Sequence, residues 1–213
     1  MALFSSLPVM WGEGGAGAAL AADSGPGHWL RRELAAHGAI VPLDRLGSPP
    51  AIPDDIDLLV IAQPRPLAPD ENVALDDWVR RGGRVLLFAD PQLTEDSAFA
   101  PGDPRRPQDM VLLSPILAHW GLRLDFDPAQ DAAEQVARPW GVAIPVRQAG
   151  RFARISGGEG CSVEPSGLGA ECRIGRGRVL AIADAALLEG GEGVVDPTRR
   201  DALRALLAKA RGE

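Results

Sequence analysis

Three stretches of the chain are apolar without alternation: Leu58-Leu59-Val60-Ile61-Ala62, Val85-Leu86-Leu87-Phe88-Ala89 and Val179-Leu180-Ala181-Ile182-Ala183. Continuous runs of this length predict strands of a parallel sheet covered on both faces, whereas a half-exposed strand would alternate. The second and third runs each end on an aspartate, Asp90 and Asp184. Ligands of open α/β sheets bind beyond the carboxyl ends of the strands, which is where both carboxylates are expected to project. Between the first two runs, Pro69-Asp70-Glu71 opens a helix with proline and acids in its first turn. Val73, Leu75, Trp78 and Val79 supply its apolar positions, and Arg80-Arg81-Gly82-Gly83 closes it. Strand, helix, glycine turn and strand make a βαβ unit.

The remaining pattern fits around that unit. Residues 2–9 predict a first strand ending at Pro8, and 27–37 a helix with Leu30 and Leu34 at helical spacing, stopped by Gly38. Ile40-Val41-Pro42-Leu43 predicts a short second strand, followed by a proline-rich surface connection over 47–55. Residues 91–108 form a long polar loop, a length that in a compact domain usually signals function or disorder. Ser114-Pro115 is expected to cap a helix through Trp120 with Ile116 and Leu117 turned inward, and Gly121 ends it before Leu122-Arg123-Leu124. From 125 to 173 the pattern changes to short β-like pieces punctuated by glycine and proline, read as an antiparallel insert or edge subdomain. A final helix over 197–210 turns Leu203, Leu206 and Leu207 inward. The expectation is one α/β domain over 1–213, a mainly parallel sheet with helices on both faces, carrying a small β-rich insert at 125–173.

Composition narrows the function classes. Twenty-two Lys and Arg against 29 Asp and Glu give a formal net charge of -7. With no basic cluster standing out in the sequence, this argues against a nucleic-acid partner. No apolar stretch approaches the roughly 18–20 residues that cross a bilayer, and no basic region with an apolar core opens the chain. As given, the chain therefore reads as cytoplasmic, without direct membrane insertion. Cys161 and Cys172 flank a segment with turn residues at its centre, so a hairpin could oppose the two sulfurs. The default without an export signal is two reduced thiols. No Cys-x-x-Cys occurs, and His28, His37 and His119 are scattered rather than spaced as a metal set; each fits a cap or surface position.

The residues Leu58-Leu59-Val60-Ile61-Ala62-Gln63-Pro64, then Leu67 and Glu71, then Gly82-Gly83-Arg84-Val85-Leu86-Leu87-Phe88-Ala89-Asp90-Pro91 resemble the soluble domain of gliding-motility-type auxiliary subunits of ABC transporters. Gly175-Arg176-Gly177-Arg178 followed by apolar residues and Asp184 is similar to the closing strand of the same family. The resemblance covers roughly 57–124 and 174–190. It implies a flavodoxin-like fold similar to class I glutamine amidotransferases without their activity, in proteins that usually sit beside or between transmembrane helices.

An amidotransferase needs an activated thiolate on a sharp turn after a strand. The matching position here follows Phe88-Ala89 and holds Asp90-Pro91-Gln92, with neither cysteine nor serine. No catalytic residue, resident metal or cofactor is assigned. The candidate ligand-binding set is Gln63, Asp90 and Asp184 on the sheet's carboxyl edge, with Ser5, Ser6, Trp11 and Glu13 from the first strand and its glycine-rich loop. Asp90 and Asp184 also suit plain turn capping. The glycine-rich loop lacks the Gly-Lys-Ser/Thr ending of a phosphate loop. The leading expectation is a non-catalytic binding or assembly domain that takes either a protein partner, such as a membrane transport complex, or a small molecule at the carboxyl edge of its sheet. The competing one is a hydrolase with a carboxylate-held metal. Loop 91–108 or the β-rich insert would serve as the contact surface of an assembly subunit, and Arg105-Arg106 in that loop could grip an acidic partner.

Overall fold

The computed structural model describes residues 1–10, 28–47, 52–103, 105–156, 160–190 and 195–213. The continuous apolar runs are central strands. A seven-stranded sheet has the order β2(Val41–Leu43), β1(Ala2–Ser5), β3(Leu58–Ala62), β4(Arg84–Phe88), β11(Gly177–Ile182), β10(Gly169–Ile174), β9(Cys161–Val163). The first five are parallel, while β10 pairs antiparallel with β11, and β9 antiparallel with β10. Every residue of β3, and all of β4 after Arg84, is buried, as strands covered on both faces require.

Four α-helices occur among the described residues: α1(Trp29–Ala35), α2(Pro69–Arg80), α3(Ser114–Trp120) and α4(Pro197–Arg211). α1 and α4 are joined through Arg204 and Glu33 at 2.5 Å, and α2 and α3 through Trp120 Nε1 donating to Asp76 at 2.9 Å. The inward leucines of α4 (Leu203, Leu206 and Leu207) are fully buried. Two further antiparallel pairs form: β5(Leu122–Asp125), which ends where the glycine- and proline-punctuated region begins, with β8(Arg151–Arg154), and, inside that region, β6(Gln135–Ala137) with β7(Ile144–Val146).

Several local expectations are corrected. β1 stops at Ser5 rather than reaching Val9, because the Ser5 hydroxyl accepts from Leu7 N–H at 3.0 Å and turns the chain. Val73 is 62% exposed: on α2 the inward positions are Glu71, Leu75, Trp78 and Val79, and Val73 lies on the opposite side of the helix. Glu71 can be buried because it is fully engaged, accepting from Arg65, from Leu46 N–H at 3.0 Å and from Ala68 N–H at 2.9 Å. The hydrogen bond from Arg65 holds its carboxyl down at about 2. Ser114 lies inside α3, whose cap position is Leu113 and makes no side-chain bond. His28 does cap α1, its Nδ1 accepting from Leu30 N–H at 3.2 Å, and burial lowers its imidazole to about 4. The two cysteines are bridged rather than reduced, since the β9–β10 register sets Cys161 directly opposite Cys172.

Candidate functional site

β3, β4 and β11 end side by side, in register from Leu58, Arg84 and Arg178 to Ala62, Phe88 and Ile182. The residues that follow them, Gln63, Asp90 and Asp184, therefore meet at one rim. All three are buried, at 0%, 0% and 1% exposure. A buried polar side chain must find partners or cost free energy, and each of these does.

Gln63 adopts a left-handed backbone conformation, φ 43°, at the exit of β3. Its amide nitrogen donates to the carbonyls of Asp90 at 3.0 Å and Gln108 at 2.8 Å, and its Oε1 accepts from Asp90 N–H at 2.9 Å. The Ser6 hydroxyl donates to the Gln63 carbonyl and accepts from Gln108 N–H at 3.0 Å. Strand order reverses between β1 and β3, the place where open α/β sheets leave a crevice. Here the returning end of loop 91–108 is fastened into it by Ser6 and Gln63.

Asp90 and Asp184 staple the other half of the rim. Asp90 accepts from Gln92 N–H at 2.8 Å and Ala185 N–H at 3.0 Å; Asp184 accepts from Ala186 N–H at 2.6 Å and Arg147 N–H at 2.9 Å. Each carboxylate thus forms a local turn two residues ahead and a bond to a distant segment, and all four oxygens are engaged. The capping role weighed from sequence is present, and the cross-links to Ala185 and Arg147 add to it.

Sequence reasoning missed the second layer. Glu189, 5% exposed, accepts from Thr94 at 2.9 Å and from Arg147 Nη1 at 3.0 Å. Arg147 continues to Glu134 at 3.1 Å, and Glu134 pairs with Arg199 at 2.6 Å. The only sequence signal was position: Glu189 stands five residues after Asp184 at the end of a buried Ala-Ala-Leu-Leu turn. Burial pushes the Asp90 carboxyl up to about 6. Burial first, and the Asp90 charge second, raise Asp184 well above the usual carboxylate range, and burial raises Glu189.

Among the described residues no group of three or more His, Cys, Asp and Glu is placed to hold a metal ion. Trp11 and Glu13 lie outside the described residues. Arg105 pairs with Asp103 at 2.7 Å inside the long loop, and Arg106 with Asp109, the residue just after that loop, at 2.8 Å.

The fold and this rim define a mixed α/β protein whose mostly parallel sheet ends in buried carboxylates held by backbone amides. Residues 39–145, half of the chain, match the family described as an ABC-type uncharacterized transport system, and the chain belongs to that family. No curated protein matches it. Among solved structures it is similar to an exo-beta-1,4-mannosidase from Opitutaceae bacterium strain TAV5 (15% identity, TM-score 0.45, 85% of this chain and 28% of that one). It is also similar to a cytoplasmic protein from Salmonella typhimurium LT2 (11%, 0.46, 86% and 83%) and to a ThuA-like protein from Bacteroides uniformis ATCC 8492 (7%, 0.42, 85% and 80%). The chain spans less than a third of the mannosidase, and these distant likenesses carry no activity across. No helix among the described residues is long and apolar enough to cross a membrane.

Proposed function

We propose that this chain is a non-catalytic binding and assembly component of an ABC-type transport system, built on a flavodoxin-like, class I glutamine amidotransferase-like domain over 1–213 with a β-rich insert at 125–173. Family membership supports the transport role. The parallel part of the sheet, β2-β1-β3-β4-β11, supports the finer fold, because renumbered along the chain it is the order 2-1-3-4-5. The observation that carries the non-catalytic reading is the occupancy of the rim: Gln63, Asp90 and Asp184 spend their polar atoms on backbone groups. A reacting acid or base must instead reach substrate.

Of the sequence candidates, Ser6, Gln63, Asp90 and Asp184 would shape the floor beneath a docked partner; Trp11 and Glu13 stand as candidates on the sequence alone. Against the cytoplasmic location expected from the sequence, the Cys161–Cys172 bridge supports the oxidising side of a membrane, since reducing compartments keep thiols apart. A metal-assisted hydrolase remains a second reading because burial-raised carboxylates such as Asp90 and Asp184 recur at catalytic sites. It would require those oxygens to leave their backbone donors.

The full chain, affinity-tagged and expressed in its native cell, is expected to co-purify from detergent-solubilised membranes with an ATP-binding transporter subunit. Recovery free of any transport component, together with hydrolysis that is lost in Asp90→Asn, would reverse the reading in favour of the enzyme.

A further inference from the structure

Two turns at the opposite end of the parallel strands bring arginines together. α2 closes on Arg80 and Arg81, and Gly82-Gly83 leads to Arg84 at the start of β4; β10 runs through Arg173, and Gly175-Arg176 leads into β11 and Arg178. The turns are laced to each other: Arg176 N–H donates to the Arg80 carbonyl at 3.0 Å, Arg178 N–H to the Gly83 carbonyl at 3.1 Å, and Arg176 Nη2 to the Arg81 carbonyl at 3.0 Å. In register, Arg84, Arg178 and Arg173 are cross-strand neighbours on β4, β11 and β10. Neighbours of this kind leave the same face of the sheet, and like charges so placed repel.

Neutralisation at this end is incomplete. Arg178 pairs with Glu171 at 2.7 Å, but Glu171 also takes Lys209 at 2.5 Å. Arg80 is matched by Asp76 at 2.6 Å and Arg211 by Asp57 at 3.6 Å. Arg81, Arg84, Arg173 and Arg176 are exposed and have no carboxylate partner among the described residues. Exposed Asp77, one turn before Arg81 on α2, forms no ion pair with it. A chain with net charge -7 thus holds unmatched guanidinium groups on two laced turns at one end and the buried carboxyls of Asp90 and Asp184 at the other.

We propose that this arginine face docks on the anionic phosphodiester headgroups of a membrane, with the carboxylate rim turned away from the bilayer. The proposal rests on the transport reading, which brings the chain to a membrane. Planar guanidinium groups bind phosphodiester oxygens in pairs, and basic residues near an anionic leaflet each add attraction within a Debye length. A protein partner is less well served: interface cores are rich in aromatic and apolar anchors. The large apolar residues exposed among the described residues, Val41, Val73, Met110, Leu112 and Val136, all lie outside these two turns.

The test is co-sedimentation of the full chain with phosphatidylcholine vesicles, with or without about one-third phosphatidylglycerol, at about 0.1 M salt. Binding is expected only with the anionic lipid and is expected to fade as salt rises. Arg84→Gln and Arg173→Gln should each weaken it about fivefold, and the quadruple change at Arg81, Arg84, Arg173 and Arg176 by about a hundredfold or more. The same charge removed elsewhere, by Gln at exposed Arg31, Arg45, Arg138 and Arg151, should leave binding unchanged. Equal binding to neutral vesicles, an equal loss in the control variant, or capture of a polyglutamate peptide in place of vesicles would each overturn the proposal. Lipid binding by a chain that never joins a transport complex would sink the transport reading and leave this surface standing. The converse result would do the opposite.

Discussion

Gly177→Ala is expected to destabilise the protein by about 3 kcal/mol or more, enough to deplete the folded state of a marginally stable domain. Gly177 opens β11, where the strand passes under the carboxyl end of α2. A Cβ there would stand 2.0 Å from the Val79 carbonyl oxygen and 2.4 Å from that of Gly83. Both obstacles are backbone, so neither can swing aside as a side chain would, and the helix end must move away from the sheet. Gly102→Ala supplies the comparison: at φ +89° it strains the backbone, but its Cβ meets nothing within 4 Å. About 1 kcal/mol is expected there. Urea unfolding of the two variants reads the difference. Equal costs would mean that the α2–β11 contact is looser than described.

Between pH 5 and 7 the stability of the wild-type chain should fall, and in the Asp90→Asn/Asp184→Asn double variant it should rise. Asp90 is held near 6 in the fold against an ordinary value of 3.8, so the native state keeps a proton that the unfolded chain releases. Stability is then fully present below about pH 4 and is lost as pH climbs through 6, by about 3 kcal/mol for a shift of this size. Asp184 acts in the same direction, its carboxyl raised well above the usual carboxylate range by burial first and by the Asp90 charge second. His28 opposes them. Its imidazole, lowered to about 4 from 6.5, stays neutral in the fold while the unfolded chain takes up a proton, so its contribution grows as pH rises through that window. Two carboxyl groups outweigh one imidazole in the wild type. With both replaced, His28 outweighs the one raised carboxyl that remains, Glu189, and sets the slope. Glu71, held near 2, loses its stabilising effect only in stronger acid, below 4.5. Equilibrium unfolding at pH 5, 6 and 7 (about one unit apart) reads these slopes. A wild-type curve that rises with pH would show that the carboxyls are ionised in the fold.

The central strands were legible because burial on both faces leaves a one-line signature: β3, and β4 and β11 beyond Arg84 and Arg178, are apolar at every inward and outward position, and aspartates mark where two of them emerge. α2 was legible in extent, from Pro69 to Arg80, but not in orientation. Counting apolar residues put Val73 inside, and no local signal announced that Glu71 would be paid for by Arg65, Leu46 N–H and Ala68 N–H. The same limit hid the second layer of the rim. Arg147 reaches Asp184 across 37 residues and Glu189 across 42, separations set only when β7 and β11 pack into one body. The arginine face was invisible for a related reason. Arg81 and Arg84 are far in sequence from Arg173 and Arg176, and it is the glycines at 175 and 177 that let the two turns touch. Bridging of Cys161 to Cys172 followed from strand register, which turn residues suggest without fixing.

The most direct measurement of the central claim, that the carboxylates at the sheet's edge are committed to backbone amides rather than open to a ligand ion, is thermal melting at pH 7 with and without Mg²⁺, Ca²⁺, Mn²⁺ or Zn²⁺. A group that binds only the folded state raises its melting temperature in proportion to occupancy. The wild-type Tm is expected to be unmoved by any of the four cations, and Asp184→Asn to lose the same stability in their presence and absence. A cation-dependent rise of several degrees that disappears in Asp184→Asn would contradict that claim.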